Sequence, residues 1–299
     1  MNSSSRFILA AHVALSLMAA ATCAQAQDNT LEKIRKANAI SLGYRDSSVP
    51  FSFLDGEQKP VGISIDLCQA LVDRIKRDLK LPDLKVNYVP VTSSSRIPLI
   101  ANGTIDVECG GTANNPERQK VVAFSIATFV SQPRWLVKAD AGLKKAADLK
   151  GKTVVATQGS NAVGFAMRIN DQEKLGLNIV QGKDHAESML LLETGRASAF
   201  LEDDILLAGV RANSRNPAGY AFLPEGYETI YYGLMFRRDD PAFKALVDDT
   251  LAGLMKSGEF TKMYKKWFES PIPPRGVNLE FPMTDLLKER VRKPSDKLS

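Results

Sequence analysis

One repeated pattern restricts the fold of this chain more than any other feature: strands and helices alternate, stop, and then alternate again. The stretch 62–79 has apolar residues at helical spacing, and the stretch 84–91 alternates as a strand does. Past residue 137 the alternation resumes, with a buried strand at 153–157 and a helix after it. Strands that alternate with helices across short turns are typical of α/β folds, and we expect the sheets to be parallel.

The repetition predicts two lobes. We assign residues 27–132 and 231–299 to the first lobe and residues 133–230 to the second, because the extended stretch 220–236 can carry the chain back. The first lobe is then discontinuous, and the chain crosses twice through a hinge. A cleft between two α/β lobes is a suitable place for a small ligand.

The first 26 residues have the features of a signal peptide. Arg6 precedes an apolar stretch at 7–21, and an Ala-Gln-Ala cleavage site follows at 24–26. We expect cleavage after Ala26 and export to the periplasm, and a buried first helix is the alternative. No later apolar run has the length that a membrane-spanning helix needs.

The charge distribution argues against nucleic acid as a partner. The formal net charge is +5, but the basic residues are scattered and form no long block. A modest positive excess would still attract an anionic ligand. After cleavage His185 is the only histidine, which excludes a multi-histidine metal site. We therefore expect neither a metal nor another cofactor.

Two cysteines, Cys68 and Cys109, remain after cleavage. In an exported protein they could form one disulfide, or they could stay as two buried thiols. Cys68 falls on a predicted helix and Cys109 at the end of a predicted strand. On that basis we favour two free thiols.

The stretch 106–120 is a candidate anion-binding site. It begins as a strand, breaks at Gly110-Gly111, continues with small polar residues and reaches Arg118. Backbone N–H groups freed at such a turn, together with a guanidinium, are suited to bind a carboxylate. The alternative is a surface turn with a solvated arginine.

Several motifs of the chain occur together in one family. They lie at 44–52, 92–98, 102–110, 114–118, 147–152, 183–185, 193–197, 203–209 and 267–274. On these motifs the chain resembles the periplasmic glutamate/aspartate-binding proteins of ABC importers, within the polar amino-acid solute-binding family. The resemblance covers essentially the whole mature chain. It implies a type II periplasmic-binding-protein fold, a monomer, and delivery of an acidic amino acid to a membrane permease after lobe closure.

The resemblance also implies which residues contact the ligand. Arg118 would bind the α-carboxylate with the N-terminus of the helix at Asn161, and Asp203 would bind the ammonium group. The expected distal-carboxylate set is Arg45, Ser93, Arg96 and His185. Gly111 and Ala113 complete the predicted site, and both stand where the family has hydroxyl side chains. For each charged residue a solvated or capping role is the alternative.

The sequence departs from the family in a third place and leaves other functions open. The family has a cysteine at the position of Leu234 that pairs with the equivalent of Cys109, so that disulfide cannot form here.

One alternative function is an exported, dehydratase-like enzyme that uses Glu202 or Asp203 as acid or base. Another is binding of a different dicarboxylate. No nucleophile motif accompanies these residues, and we expect a binding protein, not an enzyme.

Overall fold

The computed structural model describes residues 29–298, so the predicted signal peptide lies outside the described residues. The chain up to the first crossing forms α1 (Thr30–Ala37), β1 (Ala39–Tyr44), β2 (Ser47–Ser48), β3 (Ser52–Leu54), β4 (Pro60–Val61), α2 (Ile63–Leu79), β5 (Lys85–Pro90), α3 (Arg96–Ala101), β6 (Val107–Glu108), β7 (Ala113–Asn114), α4 (Pro116–Gln119), β8 (Val122–Phe124) and β9 (Phe129–Ser131).

The chain beyond β9 repeats the alternation and ends in helices. Its elements are β10 (Pro133–Lys138), β11 (Thr153–Thr157), α5 (Asn161–Glu173), β12 (Asn178–Gly182), α6 (His185–Glu193), β13 (Ala199–Asp203), α7 (Asp204–Ala212), β14 (Tyr220–Gly226), β15 (Ile230–Tyr232), β16 (Met235–Arg237), α8 (Pro241–Ser257), α9 (Glu259–Phe268) and α10 (Asp285–Arg292). Short 3₁₀ turns occur at Ala146–Leu149 and Pro217–Gly219.

The first sheet has the strand order β5-β1-β6-β16-β8. β1 is parallel to both β5 and β6, whereas the late strand β16 is antiparallel to β6 and β8. The expectation of a wholly parallel sheet is therefore wrong. Since β16 enters from the returning chain and not through a helical crossover, the handedness rule for strand–helix–strand units does not fix its direction.

The second sheet has the order β12-β11-β13-β10-β14 and is mixed for the same reason. β11 is parallel to β12 and β13, and the strands that enter and leave the sheet, β10 and β14, pair antiparallel with each other. β10 is also antiparallel to β13, with Arg134 opposite Glu202.

A small connecting sheet, β7-β15-β9, lies where the chain passes between the two large sheets. β9 precedes β10 and β15 follows β14, and the two strands pair antiparallel with Tyr231 opposite Val130. Both crossings therefore lie side by side and are joined by hydrogen bonds, which is a suitable geometry for a hinge.

The segment after residue 275 packs on the first sheet's side of the molecule. Leu287 of α10 is buried, the amide of Ala127 donates to the carbonyl of Ser295 at 2.9 Å, and Lys244 lies 2.9 Å from Asp296. The break between α8 and α9 lies at Gly258, which has a φ of +84°. Within residues 29–298 no helix combines the length and apolar character needed to cross a membrane.

Cys68 and Cys109 form a disulfide, so the preference for two free thiols is wrong. α2 packs over the first sheet and places Cys68 above the residue that follows β6, with the two Cα atoms 6.1 Å apart. Sequence reasoning could not supply this tertiary placement. Leu234, which stands where the family has a cysteine, is fully buried. It lies one residue before β16, whose Met235 pairs with Glu108.

Candidate functional site

Seven charged or ionisable side chains are buried together between the two large sheets. They are Arg45, Arg96, Glu108, Arg118, His185, Glu202 and Asp203, and none is more than 9% exposed. Removing charges from water is costly unless they find partners, so such a concentration indicates a functional site more than a structural one.

The topology explains why these residues meet. In the first sheet Arg45 directly follows β1, Arg96 follows β5 by a short loop, and Glu108 ends β6. In the second sheet His185 follows β12 and Glu202 lies at the end of β13. The carboxyl ends of parallel strands meet at one edge of a sheet, and in α/β sheets that edge is where ligands bind.

Arg96 and Glu108 are linked through Thr112. Thr112 Oγ1 accepts a hydrogen bond from Arg96 Nη1 and donates to Glu108 Oε2 at 2.6 Å. Arg96 Nη1 also lies 3.6 Å from Glu108 Oε1. Glu108 therefore compensates part of the arginine charge in a place that water does not reach.

Arg45 has no such counterion. Within residues 29–298 it forms no ion pair, and its Nη1 has no hydrogen-bond partner. Burial, and then the charge of Arg96, lowers the pKa of the Arg45 guanidinium to about 10. It stays protonated at neutral pH, and an anion placed beside it would be strongly attracted.

Arg118 connects the two halves of the site. Asn115 caps the short helix α4 by accepting from the amide of Arg118, and Arg118 Nη1 donates to the carbonyl of Ala113 at 2.8 Å. Its Nη2 donates to the carbonyl of Gly159, beyond the end of β11, at 3.2 Å. Burial, and then the charge of Arg96, lowers the pKa of Arg118 to about 10.

On the second sheet, Glu202 lies between a helix N-terminus and a histidine. Ser160, the N-cap of α5, donates to Glu202 Oε1 at 2.8 Å. Glu202 Oε2 is 3.7 Å from His185 Nε2, and His185 Nδ1 is 3.1 Å from Ser48 Oγ of β2. The histidine thus bridges an acidic residue of one sheet and a hydroxyl from the opposite side of the cleft.

Asp203 is held by Tyr232 of the connecting sheet, whose hydroxyl donates to Asp203 Oδ2. The Tyr232 ring packs against Phe51 and Phe129, with ring centroids 5.1 and 5.8 Å away. Burial, and then the charge of Glu202, raises the pKa of Asp203 well above its ordinary value. A cation beside Asp203 would reverse that effect, so this carboxylate is suited to bind an ammonium group.

Several buried polar atoms of the site have no hydrogen-bond partner. Among residues 29–298, seven of the eleven such atoms lie here: Arg45 Nη1, Ser93 Oγ, Arg96 Nε, Glu108 Oε1, Asn161 Nδ2, Glu202 Oε2 and Asp203 Oδ1. Buried polar groups are normally satisfied, so this local deficit requires an explanation. Donors and acceptors are both present, and a small molecule with negative and positive groups would satisfy both.

The two sides of the cleft are in close contact. A Cβ atom on Gly159 would lie 2.5 Å from the amide nitrogen of Ser94, and one on Gly209 would lie 2.2 Å from the carbonyl oxygen of Val49. Only glycine permits these approaches. The site is therefore enclosed.

A family model for bacterial extracellular solute-binding proteins, family 3, matches residues 40–270. The chain belongs to this family. It is 44% identical over 290 residues to the glutamate/aspartate import solute-binding protein of Escherichia coli K12, covering 97% of this chain and 96% of that protein. It is 45% identical over 293 residues to the L-glutamate/L-aspartate-binding protein of Pseudomonas aeruginosa PAO1, with the same coverages.

Solved structures agree on the fold of this family 3 protein. An ABC uptake transporter substrate-binding protein from Streptococcus pneumoniae superposes with a TM-score of 0.73 at 22% identity, covering 83% of this chain and 99% of that chain. The predicted two-lobed α/β fold of the type II periplasmic binding proteins is thereby confirmed. These two curated relatives are named as binding proteins, which agrees with the prediction that the chain is not an enzyme.

The predicted site residues of this solute-binding protein fall into two groups. Those that lie buried in the charged cluster are Arg45, Ser93, Arg96, Arg118, His185 and Asp203. The others contribute mainly backbone: Ala113 offers its carbonyl to Arg118, and Asn161 opens α5 with a partly buried side chain. A Cβ on Gly111 would lie 3.0 Å from the rings of Phe51 and Tyr232, so a side chain there would require these rings to shift.

Four residues in or beside the buried cluster were not among the predicted ligand-binding residues. Glu108, Thr112 and Tyr232 were not predicted as site residues, and Glu202 entered only as a candidate catalytic group. An acidic residue on the last position of a buried strand was the available indication for Glu108. Tyr232 lies on a three-residue strand whose position depends on the tertiary fold. No three His, Cys, Asp or Glu side chains between residues 29 and 298 are arranged to hold a metal ion.

Proposed function

We propose that this protein captures L-glutamate or L-aspartate in the periplasm by closure of two lobes and delivers it to the membrane permease of an ABC importer. The observation that carries the proposal is the buried cluster of three arginines, Arg45, Arg96 and Arg118, opposite Asp203. Two relatives at 44% and 45% identity are named as glutamate/aspartate-binding proteins.

The proposal includes the organisation of the molecule. The lobes are residues 27–132 with 231–299, and residues 133–230, and the signal peptide is removed after Ala26. The protein acts as a monomer, without nucleic acid or a cofactor. Closure is a hinge motion, since the ligand contacts both lobes and stabilises only the closed state.

Arg118 binds the α-carboxylate in this proposal, and the amides at the start of α5 assist it. A guanidinium binds a carboxylate in a bidentate manner, and a helix N-terminus favours negative charge. Asp203 binds the ammonium group through Oδ1, which has no other partner in the described chain. The backbone of Gly111 and Ala113 takes the place of the hydroxyl groups of the family.

The distal carboxylate is bound by Arg45, Ser93, Arg96 and His185. Arg45 Nη1, Arg96 Nε and Ser93 Oγ are all buried without a hydrogen-bond acceptor. A carboxylate satisfies these donors and neutralises charge, whereas the amide of glutamine leaves the arginine charge uncompensated. Since an unpaired buried charge is costly, we expect discrimination against glutamine by at least about 100-fold.

A dicarboxylate without an ammonium group fits less well. It would leave Asp203 Oδ1 buried and unpaired, and such a loss costs about 1–3 kcal/mol or more for a charged group. The alternative of an enzyme is not favoured, because the two curated relatives are named as binding proteins.

Titration calorimetry with L-glutamate, L-aspartate, L-glutamine and succinate tests the proposal. We expect tight binding of the two acidic amino acids, weak binding of the other two, and recovery of every ligand unchanged. Preference for glutamine or succinate would contradict the assignment of the ligand. Chemical conversion of a ligand would show that the protein is an enzyme.

A further inference from the structure

Glu202 is buried in the site but has no role in the ligand contacts described above. It is 1% exposed, and the neighbouring His185 is 2% exposed. Ser160 Oγ and the amide of Asp203 donate to Glu202 Oε1, while Oε2 has no hydrogen-bond partner and faces His185 Nε2 at 3.7 Å. A buried carboxylate with an unsatisfied oxygen beside an imidazole requires a physical explanation.

Charged groups face this pair from every element around it. The positive groups are Arg45, Arg96 and Arg118, and the negative groups are Glu108, Asp184, Asp203 and Asp204. Tyr232 contributes a hydroxyl that is bound to Asp203. Arg134 is opposite Glu202 in the sheet register, but its guanidinium donates to the carbonyl of Leu223 and does not pair with Glu202.

The charges of the fully enclosed groups balance when the Glu202–His185 pair carries one extra proton. Asp184 and Asp204 are left out of this count because both are partly exposed and accept hydrogen bonds from the amide of Glu187 and the hydroxyl of Ser131. The three arginines contribute three positive charges, and Glu108 and Asp203 contribute two negative charges. An amino dicarboxylate has a net charge of about −1 at neutral pH, which completes the balance. An ionised Glu202 beside a neutral imidazole would leave one negative charge in the dry site without a counterion, and such a charge is expensive to bury.

We propose that Glu202 and His185 hold one extra proton between them in the closed site, on Glu202 Oε2, and that ligand binding takes this proton up from solvent. The inference deepens the proposed function and rests on it. Glu202 is then a neutral carboxyl group whose Oε2 lies 3.7 Å from the neutral imidazole. His185 Nδ1 lies within hydrogen-bond distance of Ser48 Oγ.

The electrostatic environment agrees with this placement of the proton. Burial raises the pKa of Glu202. Burial, and then the charges of Arg45 and Arg96, lowers the pKa of His185 well below its ordinary value. In an open cleft water would reach both groups, Glu202 would be ionised at neutral pH and His185 largely neutral, so closure changes the protonation of the pair by about one proton.

A direct consequence is pH-dependent affinity for acidic amino acids. Because the closed state binds more protons than the open state, raising the pH weakens binding. We expect the dissociation constant for L-glutamate to rise between about pH 7 and 8.5, by at most about tenfold per pH unit, which is the limit for one proton. Ser48 belongs to the side of the cleft opposite Glu202, so the proton-holding arrangement is complete only when the cleft closes.

Calorimetry of L-glutamate binding in buffers of different ionisation enthalpy measures the proton count directly. We expect uptake of about one proton per ligand by the unmodified protein near neutral pH. Glu202→Gln resembles the protonated carboxyl group, so its uptake should fall close to zero and its affinity should become independent of pH over the same range. The matched control Glu57→Gln, on an exposed turn, should retain the uptake of the unmodified protein.

Nitrogen NMR of the imidazole gives a second readout that does not depend on a variant. His185 is the only histidine apart from His12 of the predicted signal peptide, so its signals are assigned without ambiguity in the mature protein. In the glutamate complex we expect a neutral ring. An imidazolium would overturn the placement of the proton.

The outcomes separate this inference from the proposed function. Glutamate binding without proton uptake, or uptake that is unchanged in Glu202→Gln, contradicts the inference and leaves the function intact. If the protein does not bind glutamate or aspartate at all, the proposed function fails first. If Glu202→Gln does not fold, the proton uptake of the unmodified protein and the pH dependence of its affinity still test the inference.

Discussion

Tyr232 donates its hydroxyl proton to Asp203 Oδ2, and this bond joins the connecting sheet to the end of β13. Both side chains are almost completely buried. Tyr232 is fixed by the aromatic rings around it, so the bond holds the Asp203 carboxylate in one orientation and leaves Oδ1 directed into the site. The hinge region therefore contributes directly to the proposed ammonium contact.

Replacement of Tyr232 by phenylalanine should weaken amino-acid binding. Without the hydroxyl, Asp203 loses a charge-assisted hydrogen bond and its fixed orientation. We expect about a tenfold loss of L-glutamate affinity, or ~1.4 kcal/mol, measured by calorimetry. Tyr264→Phe is a matched control, because its hydroxyl donates to the carbonyl of Phe281 away from the site. Equal affinity of the two variants would remove Tyr232 from the site.

The disulfide between Cys68 and Cys109 should contribute substantially to stability. It closes a loop with a sequence separation of 41, for which the chain-entropy treatment gives about 4 kcal/mol. We expect the double replacement by alanine to lower the free energy of unfolding by about that amount in urea denaturation. A change below about 1 kcal/mol would mean that the loop is already constrained in the unfolded chain.

The elements that carry the site could be predicted from the sequence because their patterns are local. The strand at Thr153–Thr157 has the predicted bounds, and the helix predicted at 62–79 is α2 (Ile63–Leu79). Helical spacing and strand alternation are visible over a few residues, and the residues after parallel strands then converge for topological reasons. The predicted ligand residues themselves came from the family resemblance.

What could not be predicted depends on contacts between distant segments. The insertion of β16 between β6 and β8 and the pairing of Cys68 with Cys109 both require the tertiary arrangement. The proximity of Ser48, His185 and Glu202 could not be predicted either, because these residues lie on β2, α6 and β13, which meet only in the folded protein. Neither composition nor periodicity distinguishes a buried Glu202 from an exposed strand-end glutamate.

Arg45→Met should separate ligand binding from folding. Within residues 29–298 Arg45 has no ion pair, so its removal leaves no buried carboxylate unpaired. We expect the L-glutamate affinity to fall about 100-fold or more, while the free energy of unfolding without ligand is unchanged or rises. A parallel fall in both quantities would show that Arg45 has a structural role.

Arg96→Met should behave differently, although both arginines lie in the proposed distal-carboxylate set. Its removal leaves Glu108 buried without its cation and disturbs Thr112. We expect a loss of stability of about 3–5 kcal/mol in addition to the loss of affinity. Adding Glu108→Gln to Arg96→Met should recover much of the stability and none of the affinity. Failure to recover stability would argue against the ion pair as the cause.

Gly159→Ala should impair closure of the cleft without a comparable effect on the fold. Gly159 has a φ of +76°, and an added Cβ would lie 2.5 Å from the amide nitrogen of Ser94 on the opposite side of the cleft. Gly195 is a matched control, since its φ is +75° and an added Cβ would meet nothing within 4 Å. Both variants bear the same backbone strain of about 1–2 kcal/mol, so only Gly159→Ala adds the clash.

We expect Gly159→Ala to bind L-glutamate at least about tenfold more weakly than Gly195→Ala by calorimetry, at equal free energy of unfolding without ligand. Equal affinities would mean that the approach of Gly159 to Ser94 is not part of the ligand-bound state.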